Sequence, residues 1–389
     1  MPFLPPELVE DVLEHIYYDT NGQVDRNTLS CCSLVCYSWA KPAQKLLFHH
    51  VDMRATGFRI SVITKSIRAS HLGSFVRSLQ VGVTGQNHPR YSLEANSFLT
   101  VNAFIHLLSV CPNLYELALR VQSLYQFDQA TLDSLTGLAT RPSNHNGILD
   151  HAIRPAAFTL IECGIQSPII YQILSIWPCI QFLRLQTEIN APPPRDAPKF
   201  KLYELSLIRV LARIETIHWL LSTSEGHLRI LDFRDAPGSE YKAIFSTHGR
   251  HLQSVRFFRQ DLTTSSLLAL CPNLRELVIM QVSSYIPLKN VPESVEHFSF
   301  RDFAWGMNDT LEPVIELIKK LPNLKVVSCD FHANVHKDMP ELRRICSERD
   351  VEVISNLPGI IVFEDPVPLG CLPRGKTVLN FPLMNKESR

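Results

Sequence analysis

One short pattern recurs along this chain and constrains its fold more than any other feature. It reads apolar residue, two others, apolar residue, one other, apolar residue, and it occurs seven times from residue 114 onward, with an eighth copy at Val295. The last two apolar residues are two positions apart, so on a strand they point to one side, into a core. The copies are Leu114, Leu117, Leu119; Ile180, Leu183, Leu185; Leu202, Leu205, Leu207; Leu228, Leu231, Phe233; Leu252, Val255, Phe257; Leu274, Leu277, Ile279; Val295, Phe298, Phe300; and Leu324, Val327, Cys329.

The spacing of the copies indicates a stack of similar units. From Ile180 onward they start 22, 26, 24, 22, 21 and 29 residues apart. This part of the chain resembles irregular leucine-rich repeats, whose period is roughly 20 to 29 residues. One unit cannot bury its apolar side alone, so each unit depends on its neighbours. The resemblance implies an α/β leucine-rich-repeat solenoid with a curved parallel sheet.

The segments between the copies are predicted to form the outer layer. Four of them have the apolar pattern of helix faces: residues 169–176, 214–221, 267–270 and 311–321. The gap from Leu114 to Ile180 is too long for one unit, so we expect a degenerate repeat that ends near Phe158 and Leu160. We expect the Pro-rich end of the chain to cap the last repeat.

The first fifty residues have a different, helical pattern. A first helix is predicted to open at residues 4–8 (LPPEL), because proline is tolerated at a helix start, and to end at the polar residues 19–22. A second is predicted from Thr28 through Trp39, and a third from Pro42 to Phe48. A unit this small has little core of its own, so we expect it to rest on a partner or on the adjoining domain.

This block resembles an F-box, and the likeness covers about the first 52 residues. Its opening Leu-Pro-x-Glu and its central Leu-Val-Cys-x-x-Trp are specific when they occur together. The residues that carry the likeness are Leu4, Pro5, Pro6, Glu7, Leu8, Val12, Ile16, Leu29, Cys32, Ser33, Leu34, Val35, Cys36, Trp39, Leu47, Phe48 and Val51.

The F-box resemblance implies binding to a Skp-type adaptor, which links the chain to a cullin and a ubiquitin-conjugating enzyme. The repeats would then hold an unknown protein substrate. The alternative for each contact residue is that it closes the core of its own domain, and for Trp39 this alternative is favoured. The residues assigned to adaptor contact are Leu4, Pro5, Leu8, Ile16, Leu34, Val35 and Trp39.

The residues that flank the apolar positions are expected to line an open sheet face. Arginine recurs there, and its fork suits carboxylates and phosphates, while neighbouring apolar side chains can serve as anchors. We therefore hypothesise a substrate with an acidic or phosphorylated segment; the alternative is ordinary solvated charge, neutralised by Asp232 and Glu116. The assigned substrate-binding residues are Arg184, Asp232, Arg234, Arg256, Phe258, Met280 and Arg301.

Composition and motifs exclude several other classes. The 38 basic and 38 acidic residues cancel, which does not favour nucleic acid or an anionic membrane as partner. The ten cysteines form no Cys-x-x-Cys pair, and no phosphate loop, nucleophile elbow or zinc helix is present. We expect no enzyme activity, no cofactor and no metal, although His332 and His336 have a spacing that a metal site could use. Without a secretion signal or a membrane-spanning run, the expected location is intracellular, in the cytoplasm or nucleus.

These inferences combine into one prediction. Residues 1–52 form an F-box-like domain, residues 70–365 form the repeat domain, and residues 366–389 form a Pro-rich tail. The chain is predicted to be the substrate-recognition subunit of a Skp-cullin-F-box ubiquitin ligase. One alternative is a repeat scaffold that binds the adaptor without ubiquitin transfer, and another is a hydrolase, for which the sequence shows no catalytic constellation.

Overall fold

The computed structural model describes residues 4–19, 22–53, 60–69, 71–85, 98–140, 152–208, 213–234, 237–301, 310–357 and 363–385. The chain divides into two compact units. The first comprises Met1–Phe182, Gln186–Phe200 and Thr377–Arg389, and the second comprises Leu183–Leu185 and Lys201–Lys376. None of the described helices is long and apolar enough to cross a membrane.

The first unit begins with three helices, α1 (Pro6–His15), α2 (Arg26–Cys32) and α3 (Tyr37–Leu47). Proline occupies the first position of α1, where its missing N–H costs nothing. Asp25 caps α2 by accepting a hydrogen bond of 3.0 Å from the Thr28 amide. The three helices enclose a small core that consists of Val9, Leu13, Tyr17, Leu29, Ala43 and Leu46.

The boundary between the second and third helices differs from the prediction. Helix α2 ends at Cys32, and Trp39 and Pro42 both lie in α3. Residues 33–35 form a turn and Cys36 has an extended backbone, which interrupts the helix. The apolar pattern concealed this turn because Leu34 and Val35 are apolar but exposed.

The rest of the first unit alternates strands and helices. The strands are β1 (His50–Asp52), β2 (Ser78–Thr84), β3 (Leu99–Thr100), β4 (Glu116–Gln122) and β5 (Ala157–Glu162), and the helices are α4 (Ile60–Ala69), α5 (Val101–Ser109), α6 (Gln129–Thr140) and α7 (Ile169–Ile176). β1, β2, β4 and β5 pair in that order and all in parallel. Leu117 lies beside Phe158, and Leu119 beside Leu160. The predicted extra strand near Phe158 and Leu160 is therefore confirmed.

The second unit is also built of strands with helices between most of them. Strand β6 (Phe182–Leu185) contributes its last three residues, and the other strands are β7 (Glu204–Leu207), β8 (Ile230–Phe233), β9 (Ser254–Arg259), β10 (Glu276–Gln281), β11 (His297–Arg301), β12 (Val326–Asp330) and β13 (Glu352–Leu357). The helices are α8 (Ile214–Leu221), α9 (Lys242–His248), α10 (Leu262–Leu268), α11 (Glu312–Lys320) and α12 (Met339–Glu348). β7 through β13 pair in chain order, all in parallel.

The repeated apolar pattern sets the register of this sheet. Leu231, Val255, Leu277, Phe298 and Val327 are directly aligned across β8 to β12, and every one is fully buried. The predicted parallel sheet is confirmed. The predicted helix segment 267–270 begins five residues too late and runs two residues past the end of α10. Asp261 and Thr264 form a capping box that begins the helix at Leu262.

The end of the chain has two parts with different locations. Residues 363–376, here called the cover segment, belong to the second unit and lie across one face of its sheet. We expected this stretch to cap the last repeat, and the structure places it on the sheet face instead. A 3-10 helix, Val378–Met384, belongs to the first unit, where Val378 and Phe381 pack against the core of α1 to α3.

Candidate functional site

Helix α1 has two apolar faces. Val9 and Leu13, four residues apart, are fully buried in the core. Leu8 and Val12 have the same spacing on another side of the helix, and Leu8 is 50% exposed. The face with Val9 and Leu13 holds α1 against the core, and Leu8 and Val12 lie outside that core.

The turn between α2 and α3 presents two more apolar side chains. The amides of Leu34 and Val35 donate to the carbonyls of Cys31 and Cys32 at 3.0 and 3.2 Å, so the backbone of the turn is fixed. The side chain of Leu34 is 85% exposed. The exposed apolar residues of this region, here called the N-terminal apolar residues, are Leu4, Leu8, Val12, Leu34, Val35 and Tyr37.

The structure divides the residues assigned to adaptor contact into two groups. Ile16 and Trp39 are half-buried and pack against the core of α1 to α3. Their apolar area is therefore already used within the protein. The other five are exposed: Leu4, Pro5, Leu8, Leu34 and Val35.

The sheet of the second unit has two chemically different faces. The aligned leucine, valine and phenylalanine positions make one face apolar throughout. The opposite face, here called the charged face, carries polar side chains at the alternate positions of the strands, and these are buried as well. Its residues are Arg184, Glu204, Ser206, Asp232, Arg234, Ser254, Arg256, Glu276, His297, Ser299, Arg301, Ser328 and Asp330.

A carboxylate from the cover segment occupies the basic part of the charged face. Arg256 donates two hydrogen bonds to Glu364, from Nη1 to Oε2 at 3.0 Å and from Nη2 to Oε1 at 2.5 Å. Arg234 Nη2 lies 3.8 Å from Glu364 Oε2. Asp232 Oδ2 lies 3.4 Å from Arg234 Nε and 3.6 Å from Arg256 Nη1. The two carboxylate oxygens of Glu364 thus pair with the two Nη atoms of Arg256, in the bidentate geometry by which arginine recognises a carboxylate.

The residue before Glu364 adds aromatic contacts. The guanidinium carbons of Arg184 and Arg234 lie 4.5 and 4.6 Å from the ring centre of Phe363. Both distances are within the range of cation–π attraction. Arg184 also donates to the backbone carbonyl of Glu364 at 3.3 Å. Two arginines therefore hold the Phe363–Glu364 pair through ring, backbone and carboxylate.

The charged face also has an acidic part. Arg374 of the cover segment donates to Glu204 Oε2 at 2.6 Å, and its amide lies 3.5 Å from Glu276 Oε1. Glu276 also accepts from Ser254 at 2.5 Å and pairs with His297 Nδ1 at 3.0 Å. The cover segment therefore places its negative and positive side chains on regions of opposite charge.

Electrostatics stabilise the charged forms of these groups. Burial alone would raise the pKa of Glu364, but Arg256, Arg374 and Arg234 outweigh burial and hold the pKa well below its usual range. Burial likewise opposes the ionised form of Glu276, yet His297 and the nearby arginines lower its pKa to about 2.

The charges of Arg256 and Glu364 also act on Arg301. Burial, and then the positive charge of Arg256, lower its pKa to about 10, and Glu364 and Asp330 partly offset this. Six of the seven residues assigned to substrate binding, among them Arg301 and Met280, are buried, and Phe258 is half-buried. The expectation of an open face is wrong, because the cover segment lies over it.

Sequence reasoning missed the acidic partner of this cluster. Glu364 lies 108 positions after Arg256 and outside every copy of the repeated pattern. The predicted boundaries put Phe363 and Glu364 at the end of the repeat domain and Arg374 in the Pro-rich tail, and none of the three was assigned to the charged face. The available signal was the presence of charges of both signs, Glu364 and Asp365 and then Arg374 and Lys376, in a Pro-rich stretch that follows an arginine-bearing sheet.

His332 and His336 flank a 3-10 helix, Ala333–Val335. Asp338 accepts hydrogen bonds from the Thr310 hydroxyl and the Leu311 amide, both at 2.9 Å. Within the described ranges, no group of three or more His, Cys, Asp or Glu side chains is arranged to hold a metal ion.

No protein-family model and no curated protein matches this sequence.

Proposed function

We propose that the chain is the substrate-recognition subunit of a Skp-cullin-F-box ubiquitin ligase. In this proposal, residues 1–52 are an F-box that binds a Skp-type adaptor, and the strand–helix units are leucine-rich repeats that bind the target protein. The observation that carries the proposal is the exposure of Leu34, Val35 and Leu8. These motif residues have no part in the core that α1 to α3 enclose.

Energetics support docking at this surface. Large apolar side chains that leave water on binding contribute about 1.5 to 3 kcal/mol each. A few such anchors account for most of the affinity of a typical protein interface. Leu34, held on a turn with a fixed backbone, loses little conformational freedom when a partner covers it.

The mechanism that follows is proximity. The adaptor and cullin would hold the chain beside a ubiquitin-conjugating enzyme, and the repeats would hold the target. A target lysine then reacts at a high effective concentration without any catalytic group from this chain. The ubiquitin-conjugating enzyme would carry out the chemistry, and this chain would select the target.

The adaptor contact is tested by paired charge substitutions. We expect Leu34→Asp combined with Val35→Asp to abolish copurification with a coexpressed Skp-type adaptor and cullin. The matched control is Leu262→Asp, because Leu262 is 78% exposed at the start of α10 in the second unit. Retention of adaptor and cullin by the double variant would contradict the proposal, provided its thermal unfolding matches that of the unmodified chain.

A scaffold without ubiquitin transfer is the second candidate. One observation favours it: the charged face, where we expected a target to bind, is already filled by the cover segment. Copurification separates the two candidates. Adaptor together with cullin supports the ligase, whereas adaptor without cullin supports the scaffold.

A further inference from the structure

The charged face has the composition of a recognition surface, although it is buried. Parallel sheets that are covered on both faces are normally apolar on both. Here one face of the sheet follows that rule, and the other face carries charged residues on neighbouring strands, such as Asp232 on β8, Arg256 on β9 and Glu276 on β10. A cover needed only for stability would be matched by apolar side chains, because buried ion pairs add little net stability over well-packed apolar residues.

The cover segment engages this face as a peptide ligand would. It contributes one carboxylate, Glu364, to the basic part and one guanidinium, Arg374, to the acidic part. Phe363 adds the apolar ring that two arginines flank. Two opposite charges ten positions apart also fix the direction and register of the bound segment.

We propose that the charged face is a binding site for an extended segment of a partner protein, which the cover segment occupies in cis. The partner segment carries an aromatic residue followed by a carboxylate and, about ten positions later, an arginine. Arg256 binds the carboxylate, Arg184 and Arg234 contact the ring, and Glu204 pairs with the arginine of the partner segment. That this partner is the target of a ubiquitin ligase rests on the proposed function; the peptide site itself does not.

Covalent attachment gives the cover segment a large advantage over a free peptide. A tethered ligand acts at an effective concentration on the order of millimolar. A partner segment with the same contacts must therefore displace the cover segment to bind. Weakening the cover segment alone, with the face intact, is expected to make the site accessible.

The test uses the full chain and a fluorescent synthetic peptide with the sequence of residues 363–376, in which serine replaces Cys371. The variant Glu364→Lys with Arg374→Glu reverses the two charges of the cover segment that pair with the charged face, and it leaves the face unchanged. We expect this variant to bind the peptide at least about 30-fold more tightly than the unmodified chain, by fluorescence anisotropy. The matched control is Glu348→Lys, a charge reversal on an exposed residue of α12, which should bind as weakly as the unmodified chain.

Two further peptides test the chemistry of the site. Glutamine in place of Glu364 should weaken binding to the charge-reversed variant about 30-fold, because the bidentate charged contact to Arg256 is lost. Equal affinity for the glutamate and glutamine peptides would overturn the proposal. A peptide with phosphoserine at this position should bind less tightly than the glutamate peptide, and tighter binding would overturn the assignment of a carboxylate.

Hydrogen exchange on the unmodified chain provides a test that needs no variant. If the cover segment can leave its site, its amide hydrogens exchange through local opening. Their exchange rate is then higher than that of the amides in β8 to β10. Exchange of both regions at the rate of global unfolding would show a fixed structural element and overturn the proposal. None of these assays contains the adaptor, so a failure of the proposed F-box function leaves their outcome unchanged.

Discussion

The N-terminal helices and the charged face depart from the usual distribution of residues in opposite directions. Around α1 to α3, large apolar side chains such as Leu34 and Leu8 are exposed to water. Where the cover segment meets the charged face, ionised side chains such as Glu364 and Arg256 are buried away from water. Soluble proteins ordinarily keep charges outside and large apolar groups inside, so both departures need a physical reason.

The difference lies in whether a segment of the same chain covers the surface. The charges of Arg256 and Glu364 are satisfied within the second unit by each other. The exposed leucines of the N-terminal region have no such cover among the described residues, since the 3-10 helix Val378–Met384 packs on the core residues. The first surface is open to water among the described residues, whereas the second is covered by a segment of the same chain.

The largest effect is expected from breaking the buried charge cluster. Arg256→Met would leave Glu364 and Asp232 buried without their main positive partner. We expect the free energy of unfolding to fall by about 3 to 5 kcal/mol, measured by urea denaturation. The same substitution at the exposed Arg344, which pairs with Glu341 and Glu348, should cost less than about 1 kcal/mol.

A second substitution tests the cause of that loss. If the cost arises from unpaired buried carboxylates, Glu364→Leu added to Arg256→Met should recover most of it, because an apolar pair replaces the ion pair. Additive losses in the double variant would contradict this explanation. They would mean that the two residues act independently. The charges of the charged face and of the cover segment would then not be matched to each other.

Much of the fold could be predicted because burial imposes a periodic pattern on the strands. Leu277 and Ile279 are two residues apart in sequence and lie in one buried layer, which is the relation that the pattern encodes. Local exceptions were missed where a short-range device overrides the pattern. The capping box of Asp261 began α10 early, and the exposed apolar turn at Leu34 resembled a continuing helix.

The charged face could be predicted only in part. Strand alternation identified Arg184, Arg234, Arg256 and Arg301 as members of one face, and all four are on it. What covers them could not be found, because the contact between Arg256 and Glu364 spans 108 positions and follows no period. Local patterns determine which way a side chain points, but not which distant segment it meets.

The second prediction concerns the N-terminal apolar residues. Leu8→Asp combined with Pro5→Ala should weaken adaptor binding by about 2 kcal/mol if these residues are anchors. Both side chains are exposed, so the free energy of unfolding should change by less than about 1 kcal/mol. Isothermal titration calorimetry with purified adaptor measures the first quantity. A large loss of stability with unchanged affinity would show that the second face of α1 has an internal role.

The third prediction contrasts a buried neutral group with the buried charges. The ring of His49 stacks on Phe381 at 3.9 Å, and burial, followed by the charge of Arg77, lowers its pKa to about 3. Near pH 6.5 the His49 side chain therefore takes up a proton in the unfolded chain, whereas in the folded chain it stays neutral. Stability falls as pH decreases through that range, by about 1 kcal/mol between pH 6.5 and 5.5. His49→Phe should remove this contribution, and an unchanged pH profile of unfolding would contradict it.

The smallest effect separates the ring contacts of the cover segment from its charges. Phe363→Leu keeps most of the apolar area but removes the π face beside Arg184 and Arg234, so we expect a loss of about 0.5 to 1 kcal/mol in urea denaturation. Phe98→Leu is the control, because Arg120 lies 5.4 Å from the Phe98 ring and is itself partly exposed. Equal effects at the two positions would mean that Phe363 acts only by apolar burial, and the aromatic residue would not be needed in a competing partner segment.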